Sequence, residues 1–280
     1  MKKNRKYLFI TGATGFLGEN FLIKAKKRGY KIFALSRKKK KNNSKNVIWL
    51  KGEVDENFDD QLKQTDILIH FAAAGVNKKN ISIRESLKEN VYKPHQLLLN
   101  CLKNGCKKWI IIGSASEYGK SAEKKLKLQT NTIARPQTNY EKSKYLFSKL
   151  ALSLSKKNEA MCRVMRIFNV YGEGENKKKL LSSLNSASKK KIQFIINSSY
   201  QLKDFIEIGK VTDTLIDAID FRKKSKKFPQ IWHVASGIPM TVKEFVISKV
   251  GKNKKLKLKF KSSNKIVRNF ITEKKSIWKI

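Results

Sequence analysis

The sequence predicts an α/β protein with a doubly wound parallel sheet, followed by a small C-terminal lobe. Short β-rich runs alternate with helical stripes over residues 1–170. A glycine-rich stretch, TGATGFLG, follows the first of these runs directly. Because strands that alternate with helices form right-handed crossovers, this order favours a parallel sheet with helices on both faces.

Each element follows from a local pattern. The predicted strands are residues 6–10, 30–36, 47–52, 65–73, 107–116 and 160–172, and a late run, 227–237, is expected to return to the same sheet. Helical spacing of apolar residues predicts helices over residues 15–29, 83–105, 139–157 and 241–251. The lysine-rich segment 38–46 reads as a polar loop. Residues 251–280 are poorly patterned, and we expect them to contribute little.

The chain is strongly basic, because 63 Lys and Arg residues stand against 22 Asp and Glu and give a formal net charge of +41. Such a charge favours a polyanionic partner such as nucleic acid. However, the lysines are spread through every segment, and arginine, the better reader of phosphates and bases, is scarce. We interpret the charge as a compositional bias on a solvated surface and expect no specific nucleic-acid partner.

Cysteine and histidine do not form a recognisable disulfide framework or metal motif. The cysteines Cys101, Cys106 and Cys162 are an odd number without metal-type spacing, which indicates a reducing compartment. No apolar run approaches the roughly 18 residues that a membrane span requires. We expect a cytoplasmic protein without a metal ion and without a membrane span.

The stretch TGATGFLG places Gly12, Gly15 and Gly18 between a predicted strand and a predicted helix. This is the context that a dinucleotide-binding turn requires. The first glycine permits the tight turn, the second lets the backbone approach a pyrophosphate, and the third lets the helix pack closely on the strand. Free N–H groups and the helix dipole then favour the negatively charged phosphates.

Further motifs follow along the chain: HFAA at 70–73, GSASEYG at 113–119, YEKSK at 140–144, RIFNVYGEGE at 166–175 and HVASG at 233–237. In this order the chain resembles the short-chain dehydrogenase/reductase superfamily, in its extended branch of NAD(P)-dependent nucleotide-sugar epimerases, dehydratases and reductases. The resemblance covers residues 6–250. Its motifs are specific for the family and much less specific for the substrate.

The resemblance implies an enzyme with a Rossmann-type NAD(P)-binding domain over residues 1–170 and a substrate-binding lobe over residues 171–280. Segments 203–211 and 229–236 are expected to return to the Rossmann domain. The implied cofactor contacts are Gly12, Thr14, Gly15, Phe16, Leu17, Gly18, Arg37, Glu53, Val54, Phe71, Ala72, Ala73, Asn90, Tyr140 and Lys144. Asn90 matches an asparagine of the family that we expect to act as a local hydrogen-bonding prop.

The end of the second predicted strand bears on the choice between NAD and NADP. An acidic residue there binds the ribose 2′-hydroxyl of NAD, whereas an arginine accommodates the 2′-phosphate of NADP. This chain has Ser36-Arg37 followed by lysines, with no acidic residue before Glu53. We therefore favour NADP over NAD.

The stretch YEKSK places Lys144 four residues after Tyr140, so that both side chains lie on one face of a helix. Free tyrosine has a pKa of about 10, and an adjacent ammonium is expected to lower it. The resemblance assigns Tyr140 as proton donor or acceptor and Lys144 as the group that tunes it and holds the nicotinamide ribose. It assigns the third catalytic group to Ser114, four residues before Tyr118, with Ser116 as the alternative.

One departure from the family narrows the reaction. The related 4,6-dehydratases carry an Asp-Glu pair directly after the catalytic hydroxyl, and here those positions are Ala115 and Ser116. Glu117 is displaced by one residue, and on an extended exit from the strand it would face the other way. Dehydration is therefore not expected.

On the substrate side, Asn169 matches the asparagine of the family that contacts the phosphates of a sugar nucleotide. The family's arginine at the diphosphate is replaced by Lys203, which supplies a point charge but no bidentate fork. Lys177, Lys178 and Lys179 could compensate for that loss.

These observations leave three hypotheses of function. The first is an NADP(H)-dependent reductase of a nucleotide-linked 4-keto-deoxysugar, with Tyr140 moving the proton. The second is a nucleotide-sugar 4-epimerase that retains NAD and uses the same residues. The third is a non-catalytic nucleotide sensor or RNA-associated scaffold, against which the presence of both Tyr140 and Lys144 argues. Assembly is left open, with a homodimer as one option.

Overall fold

The computed structural model describes residues 6–38, 40, 44–76, 80–124, 127–197, 199–222, 228–250, 257–261 and 270–279. Its strands are β1 (Tyr7–Thr11), β2 (Lys31–Ser36), β3 (Val47–Lys51), β4 (Ile67–His70), β5 (Lys108–Ser114), β6 (Met161–Ile167), β7 (Asn169–Tyr171), β8 (Phe194–Ile196), β9 (Leu202–Glu207), β10 (Gln230–Val234), β11 (Pro239–Thr241) and β12 (Leu258–Phe260). Its helices are α1 (Phe16–Lys27), α2 (Asp59–Lys63), α3 (Ile83–Leu87), α4 (Lys93–Lys103), α5 (Ser121–Lys124), α6 (Asn139–Lys157), α7 (Leu180–Lys190), α8 (Ile208–Asp217) and α9 (Val242–Val250).

The central sheet has seven strands in the order β10-β6-β5-β4-β1-β2-β3, and every neighbouring pair is parallel. The chain runs outward from β1 to β3 and then returns to the other side of β1 at β4. This reversal creates the crevice in which ligands bind on such sheets. The predicted fold class is therefore confirmed, including the late strand, which is β10 at the edge beside β6.

Two apolar cores cover the two faces of this sheet. On one face, Phe21 of α1 and Leu215 of α8 pack on the sheet, and both are fully buried. On the other face, Leu97 of α4 and Phe147 of α6 are buried to 0% and 1% exposure. The near-continuous apolar runs of the strands follow from this double coverage, because both faces of each central strand must be apolar.

The single helix predicted over residues 83–105 is in fact three segments. A π-helical turn, Lys88–Tyr92, separates α3 from α4. Pro94 lies in the first turn of α4, where its missing N–H costs nothing to a helix that starts there. Such π turns often accompany functional sites, and here the turn carries Asn90.

The small lobe contains a three-stranded sheet, β11-β9-β7, and the two-stranded pair β12-β8. Its core is a compact apolar cluster on α7, β8 and α9, formed by Leu184, Ala187, Ile196, Val242 and Val246. The lobe therefore combines residues that are far apart in the sequence.

The expectation that residues 251–280 contribute little is wrong for the described parts of that segment. β12 pairs in parallel with β8. Trp278 is 2% exposed, its Nε1 donates to Asp217 Oδ2 at 2.9 Å, and its ring packs edge-on against Trp232. The sequence pattern missed this anchor because single buried aromatic residues leave no periodicity.

Candidate active site

A cavity of about 820 Å³ runs along the carboxyl ends of β1 to β6 and extends to the small lobe. Ligands of doubly wound sheets bind at this edge. The predicted site residues that line the cavity are Gly12, Thr14, Gly15, Phe16, Leu17, Gly18, Arg37, Glu53, Val54, Phe71, Ala72, Ala73, Ser114, Tyr140, Lys144, Asn169 and Lys203. The cavity therefore joins the predicted cofactor, catalytic and substrate residues in one space.

Asn90 is the predicted site residue that does not line the cavity. Its Oδ1 accepts from Ala74 N at 2.7 Å, its Nδ2 donates to Ala74 O at 3.0 Å, and its side chain is 2% exposed. Ala74 itself lines the cavity. Asn90 therefore holds the backbone of Ala74, which forms part of the cavity wall.

The glycine loop is built around the backbone. Gly12 has φ +64°, and a Cβ there would lie 2.6 Å from Ala72 N. A Cβ on Gly18 would collide with Gly12 O. Gly15 is the N-cap of α1 and provides no side-chain cap, so the first N–H groups of α1 face the cavity side without a competing side chain. This cradle fits a dinucleotide pyrophosphate.

The exit of β4 forms the wall opposite the glycine loop. Thr11 Oγ1 and His70 Nδ1 lie 2.8 Å apart, and Ala72 N donates to Thr11 Oγ1 at 3.3 Å. Burial lowers the pKa of His70 to about 3, and the charge of Lys144 adds to this effect. His70 is therefore a neutral, internal support of the Phe71–Ala73 wall.

The part of the cavity at the ends of β2 and β3 combines cations with one paired carboxylate. Arg37 is exposed at the end of β2 and lines the cavity. Glu53 Oε2 forms an ion pair with Lys93 Nζ at 2.9 Å. Lys39 and residues 41–43 of the predicted polar loop lie outside the described residues. The described end of β2 thus offers a cation and no acidic side chain.

Tyr140 and Lys144 lie on α6 and face the end of β5. Lys144 Nζ donates to Ile112 O at 2.7 Å, and its side chain is 3% exposed. Helix α6 begins with a capping box between Thr138 and Glu141, which fixes the start of the helix two residues before Tyr140. The predicted pairing on one helix face is therefore present in a buried, well-anchored setting.

The pKa of Tyr140 moves in the direction opposite to the prediction. Burial raises it to about 12, the negative charges of Glu117 and Glu141 raise it further, and hydrogen bonding with Ser114 partly offsets the rise. Lys144 is not among the groups that shift it, and its ammonium donates to Ile112 O. The phenol is thus protonated at neutral pH and hydrogen-bonds with Ser114.

Ser116 and Glu117 differ in their relation to the cavity. Ser116 Oγ lies 2.8 Å from Ser114 Oγ, and both serines line the cavity. Glu117 is fully buried and does not line it. The predicted extended exit of β5 is wrong, because a 3₁₀ helix, Ala115–Tyr118, follows Ser114 directly. The carboxylate nevertheless points away from the cavity, as predicted.

The substrate end is cationic. Burial lowers the pKa of Lys203, and the neighbouring charge of Lys179 adds to the effect. Lys178 and Lys179 line the cavity, whereas Lys177 does not. Asn169 Nδ2 donates to Asp204 O at 3.2 Å. Two ammonium groups that repel each other at a cavity wall create a positive potential there, which attracts anions.

Aromatic residues that the sequence analysis missed form the rest of this end. The rings of Phe205 and Phe245 stack at a centroid distance of 4.0 Å, and Tyr171 meets Phe245 edge-on at 4.9 Å. Phe270, from the poorly patterned C-terminal segment, also lines the cavity. No spacing signal could have united these residues, because they come from four separate segments.

The described residues contain neither a membrane-spanning helix nor a metal-binding cluster. None of their helices combines the length and the apolar character that crossing a bilayer requires. Among the same residues, no cluster of three or more His, Cys, Asp or Glu side chains is arranged to hold a metal ion.

Comparisons with known proteins agree with this geometry. The model of the NAD dependent epimerase/dehydratase family matches residues 8–235. CDP-abequose synthase of Salmonella typhimurium is 26% identical over 252 residues, which are 87% of this chain and 79% of that protein. The structure of MoeE5 in complex with UDP-glucose and NAD matches with a TM-score of 0.80 at 24% identity, covering 94% of this chain and 87% of that one.

UDP-N-acetylglucosamine 4-epimerase from Methanobrevibacter ruminantium M1 matches with a TM-score of 0.81 at 18% identity, covering 96% of this chain and 89% of that one. Its structure contains UDP-N-acetylmuramic acid. At such identities the likeness of the solved structures establishes a shared fold.

Proposed function

This chain belongs to the NAD-dependent epimerase/dehydratase family, and we propose that it is an NADPH-dependent reductase of a nucleotide-linked 4-keto-deoxysugar. One observation carries the proposal: Tyr140, a half-buried residue whose phenol is protonated at neutral pH, lines the same cavity as the glycine loop and the lysine-lined wall. A protonated phenol in this place is suited to donate a proton to a carbonyl oxygen.

The cofactor half of the cavity fits a dinucleotide. Gly12, Gly15 and the uncapped start of α1 would hold the pyrophosphate. Arg37 favours a ribose 2′-phosphate, since an arginine is the residue type that accommodates this group. When bound, NADPH would supply a hydride to the carbonyl carbon of the sugar.

The chain's own residues would complete the reduction at the carbonyl oxygen. Ser114 would donate a hydrogen bond to that oxygen, and Tyr140 would transfer its phenolic proton to it, which together with the hydride yields the alcohol. Lys144 would place a positive charge next to the phenolate that Tyr140 becomes. Ala115 and Ser116 offer no acid and base for removal of water, which supports reduction over dehydration.

A nucleoside diphosphate accounts for the substrate end. Lys179 and Lys203 supply the charge that a diphosphate would neutralise, and the stacked Phe205–Phe245 pair supplies an apolar wall. CDP-abequose synthase, by its name, concerns a CDP-linked sugar, and MoeE5 binds UDP-glucose and NAD. These relatives support a nucleotide-linked sugar as the substrate class.

The test is to incubate the purified protein with NADPH and a panel of nucleoside-diphosphate 4-keto-6-deoxysugars. Stoichiometric loss of NADPH with formation of the alcohol is the expected result. Interconversion of 4-hydroxy sugars without net loss of NADPH, together with NAD that copurifies with the protein, would instead identify a 4-epimerase.

A further inference from the structure

A buried ion pair lies directly behind the predicted catalytic serine. Arg166 Nε donates to Glu117 Oε2 at 2.9 Å, and the two side chains are 3% and 0% exposed. The other carboxylate oxygen, Oε1, accepts from Ser114 N at 2.8 Å. The Arg166 guanidinium also lies over the Tyr118 ring at 4.5 Å. Glu117 thus links Ser114 to a buried arginine on the next strand.

The local sequence leaves space for the side chains of this ion pair. Gly113 and Arg166 are register partners on β5 and β6. A Cβ on Gly113 would lie 2.8 Å from Glu117 Oε1 and 3.2 Å from Arg166 Cγ. Ser114 and Glu117 form the capping box of the 3₁₀ helix. Only glycine at 113 therefore leaves room for the carboxylate behind Ser114.

A buried ion pair alone is weak evidence of a stabilising role, because desolvation offsets most of the attraction between the two charges. The position of this pair indicates another role. The charge of Glu117 raises the pKa of Tyr140, and it opposes the lowering that burial imposes on the pKa of Lys144. One carboxylate outside the cavity thus acts on both predicted catalytic residues.

We propose that Glu117 and Arg166 form a positioning pair for the catalytic centre, which fixes the backbone that carries the Ser114 hydroxyl and places a carboxylate behind Tyr140 and Lys144. This inference rests on the proposed reduction, in which Ser114 and Tyr140 act together on the carbonyl oxygen. The charged groups around the phenol are Glu117 on the 3₁₀ helix, Arg166 on β6, and Lys144 and Glu141 on α6 itself.

The test replaces both charges together, because either single substitution would leave its partner buried and unpaired. Glu117→Leu/Arg166→Met keeps side chains of similar volume, and such replacements are tolerated in other proteins. We expect the double variant to fold and to bind NADPH, followed by the fluorescence of the dinucleotide, within about threefold of the wild type. The kcat of reduction should fall at least about tenfold with little change in KM.

A second readout does not depend on the substrate. The titration of the Tyr140 phenol can be followed as the difference in ultraviolet absorbance between each protein and its Tyr140→Phe counterpart. In the double variant the phenol should titrate at lower pH than in the wild type, because Glu117 raises the pKa of Tyr140 and the loss of Arg166 offsets only part of that change. The titration needs no substrate, so it tests the effect of the Glu117–Arg166 pair on Tyr140 even if the protein reduces no sugar in the panel.

The matched control is Arg163→Met, at another buried arginine of β6. Arg163 lies over the Phe221 and Trp278 rings and donates to Gln230 Oε1 at 2.9 Å, away from Ser114. This variant should lower the melting temperature while leaving kcat and the phenol titration unchanged. An unchanged phenol titration in the double variant, or a kcat within about threefold of the wild type, would contradict the positioning role.

Discussion

The two ends of the cavity are built by different means. At the proposed cofactor end, the backbone forms the cavity wall: Gly12 and Gly18 allow close contacts, and Gly15 leaves the start of α1 without a side-chain cap. At the substrate end, side chains from separate elements make it, with Lys203 on β9 and Phe245 on α9. A backbone-built site tolerates little change in sequence, whereas a side-chain-built site can change its ligand by single substitutions.

The proposed catalytic residues lie between these ends, and Tyr140→Phe is the substitution expected to have the largest effect. It removes the proton that the phenol would donate while keeping the ring. Because positioned acid–base groups contribute typically 10²–10⁴-fold, kcat should fall about 10³-fold with NADPH binding retained. Steady-state kinetics and fluorescence titration measure the two quantities. Tyr145→Phe, on the same helix but outside the cavity lining, is the matched control and should remain near wild type.

At the substrate end, Lys203→Ala should raise KM for the nucleotide sugar by about 10- to 100-fold, as expected for loss of a charge-assisted contact. NADPH binding should not change, because Lys203 belongs to the other end. Lys203→Arg, which offers a bidentate fork, should keep KM at or below the wild-type value. Lys189→Ala, at an exposed lysine of α7, is the charge-matched control. Equal effects of Lys203→Ala and Lys189→Ala would refute a local role.

At the cofactor end, Arg37→Asp should weaken NADPH and favour NADH, changing the ratio of their kcat/KM values by about tenfold or more. A carboxylate repels the 2′-phosphate and can accept hydrogen bonds from a ribose 2′-hydroxyl. Lys38→Asp makes the same charge change one residue further on, at a side chain outside the cavity lining, and should alter the ratio much less. A retained preference for NADPH in Arg37→Asp would overturn the cofactor argument.

The smallest expected effect concerns two buried histidines. Burial lowers the pKa of His70 and of His233 to about 3. An unfolded histidine has a pKa of about 6.5. As the pH falls below that value, both imidazoles bind a proton in the unfolded state but remain neutral in the folded state. The free energy of unfolding should therefore decrease by about 1 kcal/mol per histidine between about pH 7.5 and pH 5.5.

Urea unfolding at these two pH values measures the difference. His233→Asn should remove about half of the pH dependence, because one of the two neutral imidazoles is gone. The same stability at both pH values in the wild type would show that these imidazoles do not remain neutral on folding.

The sequence predicted those features of the fold and site that depend on a local backbone requirement or on a fixed spacing between residues. The glycine loop, the alternation of strands and helices and the Tyr140–Lys144 spacing could be predicted, because each has a local signature that the fold requires. The role of Glu117 could not, because it depends on Arg166 of a neighbouring strand and on the turn that follows Ser114. The same holds for Trp278, whose burial depends on contacts with distant residues.

The raised pKa of Tyr140 shows a second limit of sequence reasoning. Spacing predicts that Lys144 lies nearby, but it cannot predict the burial of the phenol or the hydrogen bond between Lys144 Nζ and Ile112 O. The direction of a pKa shift depends on which of burial and charge is larger. Here burial is larger, and the Tyr140 phenol keeps its proton at neutral pH.

The most direct test of the central claim is to follow NADPH absorbance with the panel of nucleoside-diphosphate 4-keto-6-deoxysugars, using wild-type protein and Tyr140→Phe in parallel. The predicted result is stoichiometric oxidation of NADPH with at least one sugar by the wild type, reduced about 10³-fold in the variant. Full turnover by Tyr140→Phe, or turnover of nucleotide sugars without net consumption of NADPH, would contradict the account.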